Sequence, residues 1–308
     1  MSTFLHPEVP GPRCGPEELA DFWEIQCLRS GTDKASLSLV RHAWEQSQEE
    51  NASDDMEEDI EAEGSYDDAL QEIQCRIDMM GTQYPFSLAK GRTTLVLKRT
   101  RHGLYRFLLL ATRLPDKQRV LHGINAKSLF ESISAEVLRT YLGKNARSAC
   151  VGASTGDEAG FEARLRALCE EVGEFQVRPD FKTHTQSGDR GLDCVAWIPF
   201  KDARPGQLML WGQAKTGVGW RDTLFELQPE TFGKNWLHPP PRVLPVRAFL
   251  VTERAEAGRW DEFQNNAGIF LDRCRVMQFE AHLPTGLLRE VASWSEAAVK
   301  ELDRFLEN

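Results

Sequence analysis

Two rhythms of apolar and polar positions run along this chain. Where apolar residues recur every three or four positions, a helix can bury one face. That pattern predicts two helices between Glu17 and Gln48 with a turn at Gly31 and Thr32, then helices over Asp67–Met80, Ala126–Leu142 and Phe161–Val172. A C-terminal helix is expected over Ser293–Leu306, its first turn capped by the hydroxyl of Ser293 or Ser295. Helical pieces are also expected within Asp222–Trp236, which Pro229 and Gly233 interrupt, and over Trp260–Asn266.

The second rhythm is the short run of strand formers bounded by turn residues. It predicts strands at Thr93–Arg99, Ser148–Gly152, Asp193–Ile198, Gln207–Trp211, Val246–Thr252 and within Phe270–Phe279. Leu104–Arg113 is so apolar that its period does not choose between buried helix and buried strand. Asp193–Ile198 and Gln207–Trp211 flank a turn made from Asp202, Pro205 and Gly206, so they read as a hairpin. Side chains alternate along a strand, and Gln213 and Lys215 therefore share a face where the second run ends, with Ala214 turned the other way.

Asp193 at the mouth of one strand, and Gln213-Ala214-Lys215 at the end of its partner, follow a helix that bears Glu131. This arrangement resembles the PD-(D/E)XK nuclease superfamily in its GxD…QxK form. The resemblance implies an α/β (α+β) chain with a restriction-endonuclease-like αβββαβ core behind a mainly helical N-terminal region. It implies that Asp193, Glu131 and Gln213 hold a divalent cation, Mg²⁺ or Mn²⁺, and that Lys215 positions or activates the attacking water. Gln213 stands where an acid usually stands, which removes one negative charge from the site. Glu136 and Asp189 are the alternative acids, and Trp220, Arg221 and Lys234 follow the motif as candidate substrate contacts.

The chemistry suits those residue types. Phosphodiester hydrolysis needs a water that is nucleophilic near neutral pH and a sink for developing charge, and Mg²⁺ on one or two carboxylates provides both. A lysine beside the scissile phosphate adds charge stabilisation. The expectation is a metal-dependent endonuclease acting on DNA, in a bacterial anti-phage defence or restriction setting, with a partner protein encoded beside it and room for a homo-oligomer. The runner-up is a nuclease-fold module that binds nucleic acid or a protein without cutting.

Charge at first opposes a nucleic-acid ligand, since the 308 residues carry a net −10. Eleven acids, however, fall between Glu49 and Asp68 with no Lys or Arg among them, and the rest of the chain is close to neutral. That stretch reads as a solvated connection. It lies within residues 1–120, expected to be a mainly helical regulatory or partner-binding region, and residues 121–308 are expected to be the nuclease domain. Lys98, Arg99, Arg101 and Arg106 form a basic cluster that reads as solvated surface. No apolar run is long enough for a membrane span and the N-terminus lacks the basic-then-apolar signal pattern, so the expected location is cytoplasmic. The seven cysteines show no CxxC spacing and read as buried thiols. Gly152–Gly156 matches the GxSxG esterase elbow around Ser154, with His184, His238 and His282 as candidate bases, and is the rival hydrolase reading.

Overall fold

The turn residues read from the sequence fix where the elements of this computed structural model begin and end. It describes residue 10 and residues 14–29, 31–42, 58–89, 91, 93–98, 103–152, 160–179 and 191–303. The N-terminal half contributes α1 (Pro16–Arg29), β1 (Lys34–Ser36), α2 (Glu58–Met80), β2 (Phe86–Leu88), β3 (Thr94–Leu97) and α3 (Gly103–Arg113). Pro16 opens α1 with a ring that suits the first helical turn, and Glu17 and Glu18 complement the positive end of its dipole.

Then come α4 (Ala126–Leu142), β4 (Arg147–Cys150), α5 (Phe161–Val172), β5 (Cys194–Trp197), β6 (Met209–Lys215), α6 (Pro229–Trp236), β7 (Val246–Val251), α7 (Trp260–Ala267), β8 (Ile269–Leu271), α8 (Arg273–Met277) and α9 (Thr285–Asp303). Asn125 caps α4 by accepting the Lys127 N–H at 2.8 Å, and Gly143, at φ 107°, ends it.

The main sheet has five strands in the order β8-β7-β6-β5-β4. β4 and β5 are antiparallel, as are β5 and β6, whereas β6, β7 and β8 run parallel. β6 lies in the centre and is buried along nearly its whole length. On one face α4 packs so closely that a Cβ on Gly212 would lie 2.6 Å from Cys194 Sγ and 2.7 Å from Leu138 Cδ1. The opposite face is covered in two places, by Trp197, Met209 and Trp211 with α5 and α6, and by Phe249 and Val251 with α7.

One hydrophobic core continues across residue 120, joining Leu19, Trp23, Ile73 and Leu108 to Phe130, Leu250 and Trp294. Beside it lies a buried ionic cluster. Asp21 and Glu24 on α1 face Arg76 on α2 and Arg273 on α8, all four fully buried, and Arg113 on α3 reaches Asp21 at 2.8 Å. The hydroxyls of Tyr84 and Tyr105 donate to Glu24. Buried ions are tolerable only when paired and hydrogen-bonded in this way.

Several expectations are corrected. Residues 34–36 form a strand rather than the start of a helix, because they pair with β3. Part of the acidic stretch, from Glu58 onward, continues as α2, while residues 49–57 lie outside the described residues. Leu104–Arg113 is helix. The run expected to hold a strand within Phe270–Phe279 ends its strand at Leu271 and continues as α8, capped by Asp272. The last helix starts at Thr285, so Ser293 and Ser295 lie inside it, and Ser295 donates to the Val291 carbonyl instead of capping. Lys98 is half-buried and donates to the Tyr84 carbonyl, and Arg99 and Arg101 lie outside the described residues. Among the described residues no helix is long and apolar enough to cross a membrane.

Candidate functional site

β5 and β6 place two of the expected site residues through their register. Cys194 lies opposite Gly212, which carries Asp193 opposite Gln213. The Asp193 N–H donates to the Gly212 carbonyl at 2.9 Å, and Asp193 Oδ2 accepts the Ala214 N–H at 2.8 Å, so its carboxylate is held along the end of β6. Asp193 is 2% exposed and Gln213 fully buried, while Lys215, two positions on and on the same face, keeps 24% of its side chain in solvent. A site at a strand's end, part dry and part wet, is the usual place for substrate to meet an α/β sheet.

Glu131 arrives from α4 on the other side of the sheet. Its carboxylate is fully buried and lies over Gly152, where a Cβ would come within 2.6 Å of Oε2. Gly152 in turn donates its N–H to the Asp193 carbonyl at 3.0 Å, which ties the Glu131 end of α4 to the Asp193 end of β5. Lys127 Nζ stands 4.0 Å from Glu131 Oε1. The concentration of negative charge shows in a neighbour. Burial pushes the Cys150 thiol up to about 12, and Glu131, Asp193 and Glu136 add to that rise.

Gly191 explains why glycine precedes the aspartate in this motif. It has φ +77°, and a Cβ there would lie 2.9 Å from Gln213 Cδ and Nε2. Only a residue without a side chain lets the loop lie against the amide in that conformation. Gln213 Nε2 donates to Glu226 Oε2 at 2.6 Å, whereas its Oε1 is buried and has no hydrogen-bond partner among the described residues. An unsatisfied buried acceptor costs about 1–3 kcal/mol, so it marks a place where a cation or a donor would be welcome.

Among the described residues no three His, Cys, Asp or Glu side chains group as metal ligands. The residues expected from the sequence to hold a cation are two carboxylates, Asp193 and Glu131, and the amide of Gln213. All three are hard oxygen donors, the type that Mg²⁺ or Mn²⁺, which keep several of their own waters, would take.

Three residues of the site escaped the sequence reading. Glu226 accepts from both Gln213 and Lys215, the latter at 2.9 Å. Arg119 and Lys127 join Lys215, Asn125 and Thr216 around a cleft of about 350 Å³. Arg119 bonds the Leu114 carbonyl, Asp116 and Thr216, and burial pulls its guanidinium below the ordinary value. A Cβ on Gly217, at φ +81°, would lie 2.6 Å from Arg119 Nη2, so the glycine after Lys215 leaves room for that arginine. The sequence signal for these cations was their position, Arg119 just before α4 and Lys127 in its first turn.

Other expected residues have other occupations. Glu136 is tied to Arg139 and Ser148. Trp220 is buried against Phe249, Phe263 and Phe270 and donates to Glu253. Arg221 stacks on Trp220 and pairs with Glu253 and Glu256, and Lys234 pairs with Glu230. Asp189, Ser154 and His184 lie outside the described residues. No protein-family model, no curated protein and no solved structure matches this chain.

Proposed function

We propose that this chain is a divalent-cation-dependent nuclease that hydrolyses phosphodiester bonds of DNA, with a restriction-endonuclease-like core. One observation carries the reading: Asp193 and Gln213 lie opposite each other on adjacent strands, Lys215 follows on the same face, and the Glu131 carboxylate packs against Gly152, whose N–H donates to the Asp193 carbonyl. The topology supports it as well. A helix, α4, is followed by β4, by the intervening helix α5, by β5 and β6 antiparallel in the same sheet, and, after α6, by β7 running parallel to β6, an order compatible with αβββαβ once α5 is taken as an insertion.

Asp193, Glu131 and the Gln213 amide oxygen would hold the ion. When bound, Mg²⁺ acidifies a water and draws charge from a phosphate oxygen. The chain's own residues do the rest. Backbone bonding to Ala214 fixes Asp193, burial keeps Glu131 and Gln213 from bulk water, and Lys215 sets a positive charge where charge develops on the phosphate. Arg119 and Lys127, which line the same cleft as that lysine together with Asp116, would hold a neighbouring phosphate of the strand.

The neutral Gln213 and the ion pair that occupies Lys215 favour a second reading, a module that binds DNA without cutting it. Supercoiled plasmid decides between them. Nicking by the wild type in Mg²⁺ or Mn²⁺, lost in EDTA and in Lys215→Ala, supports the nuclease. A wild type that binds DNA but leaves it intact in both metals points to the silent module, and equal cleavage by Lys215→Ala sinks the assignment of the site.

A further inference from the structure

The loop after β6 returns a carboxylate to the place where the motif has lost one. Glu226 Oε2 accepts from Gln213 Nε2 at 2.6 Å and from Lys215 Nζ at 2.9 Å, so one oxygen bridges the two motif residues. Charge-assisted bonds of this kind are short and strong for their class.

The loop is built to hold Glu226 there. Leu224, two residues before it, is buried in the cluster around Trp220 and Phe249, and Leu227, directly after it, is buried in the separate cluster around Trp211 and Phe232. The Glu226 N–H donates to the Thr223 carbonyl, the Thr223 N–H to that of Trp220, and Arg247 donates to the Leu227 carbonyl. Glu226 keeps 44% of its side chain in solvent, yet its backbone is pinned on both sides.

A glutamine amide has one oxygen and one nitrogen, and whichever edge is engaged by an acceptor must be the nitrogen. By taking the N–H of Gln213, Glu226 commits the amide oxygen to the buried position where it has no hydrogen-bond partner among the described residues. The carboxylate also brings the negative charge that a glutamate at position 213 would have carried.

We propose that Glu226 is a positioning residue of the cation site: it fixes the Gln213 amide with its oxygen available as a ligand and supplies, from the loop, the charge missing at position 213. The proposal rests on the nuclease reading of this site. The class of ligand is a hard divalent cation with oxygen donors, and Mn²⁺ serves as the probe because its binding is read without turnover.

Binding of Mn²⁺ is measured by calorimetry and by electron paramagnetic resonance on the full chain without DNA. The proteins are wild type, Asp193→Asn, Glu226→Gln and the exchange Gln213→Glu/Glu226→Gln. Glu226→Gln is expected to weaken Mn²⁺ binding about tenfold or more, in the range that partners of metal ligands command. The exchange returns a carboxylate to β6 and is expected to restore binding, an outcome that a merely structural role for Glu226 would not produce. If Asp193→Asn abolishes binding while Glu226→Gln binds as the wild type does, the proposal fails and the nuclease reading stands. If the wild type takes up no Mn²⁺, or Asp193→Asn makes no difference, both fail together.

Discussion

Asp21 accepts two hydrogen bonds from Arg273, at 2.6 and 2.9 Å, across a sequence separation of 252 residues. Both side chains are fully buried, and neither could be ionised there alone. Removing Arg273 takes from buried Asp21 one of three guanidinium partners, the others being Arg76 and Arg113, and leaves a gap where the side chain was, a change expected to cost up to the ~3–5 kcal/mol of a broken buried pair. Arg273→Ala is therefore expected to lower the urea midpoint steeply, and a midpoint near that of the wild type would show that the cluster is not what joins α1 to α8.

The same cluster sets the acid limb of stability. Burial alone would raise Asp21, but Arg273, Arg113 and Arg76 outweigh it and hold the carboxyl well below its usual range. The folded value lies below the unfolded one. The stability contributed by Asp21 is thus present above the unfolded value of about 3.9 and is lost as pH falls below it toward the folded value. Glu24 behaves oppositely, raised by burial and by the charge of Asp21 against the pull of Arg76. Urea titrations from neutral pH downward should show Asp21→Asn to be less stable throughout and flatter than the wild type below about pH 4. Identical slopes would refute the assignment.

Gly152 offers a test of Glu131 that leaves its carboxylate in place. A methyl at residue 152 would lie 2.6 Å from Glu131 Oε2 and must displace it. Gly152→Ala is expected to reduce Mn²⁺ binding and plasmid cleavage as Glu131→Gln does, with far-ultraviolet circular dichroism unchanged. Full activity in Gly152→Ala, alongside loss in Glu131→Gln, would mean that the position of this carboxylate is uncritical.

Lys127 lies on the cleft and keeps nearly half of its side chain exposed. Each phosphate contact releases counterions, so Lys127→Ala should weaken DNA binding uniformly across sequences and reduce the slope of affinity against salt by about one contact. An unchanged salt slope would remove this lysine from the DNA track.

Local periodicity was enough for part of this. Ala126–Leu142 and Phe161–Val172 are helices over the very residues that their apolar spacing marks, because a cap or a glycine at each end agrees with the pattern. The hairpin of β5 and β6 was legible for the same reason, and with it the placement of Asp193, Gln213 and Lys215. Lys34–Ser36 was not, since its strand exists only through pairing with Thr94–Val96. The start of α9 was misjudged because the helix begins after Pro284, whose carbonyl accepts from Leu288, and not at a serine. Glu226 was invisible for a further reason. Nothing in its neighbours' identities says that a loop anchored by Leu224 and Leu227 turns back onto its own strand.

The buried arginines also bear on how this protein can be taken apart. Residues 121–308 contain the whole five-stranded sheet and Glu131, Asp193, Gln213 and Lys215, so they look like a detachable unit. Yet the counter-charges of Arg273 sit on α1, and α2 carries the Glu72 that pairs with Arg254. A fragment cut at residue 120 would uncover two guanidinium groups and one side of the core together. The helices α1 and α2 thus hold counter-charges and core surface on which the sheet-bearing part leans, so the two parts are expected to lose stability together when the chain is cut at residue 120.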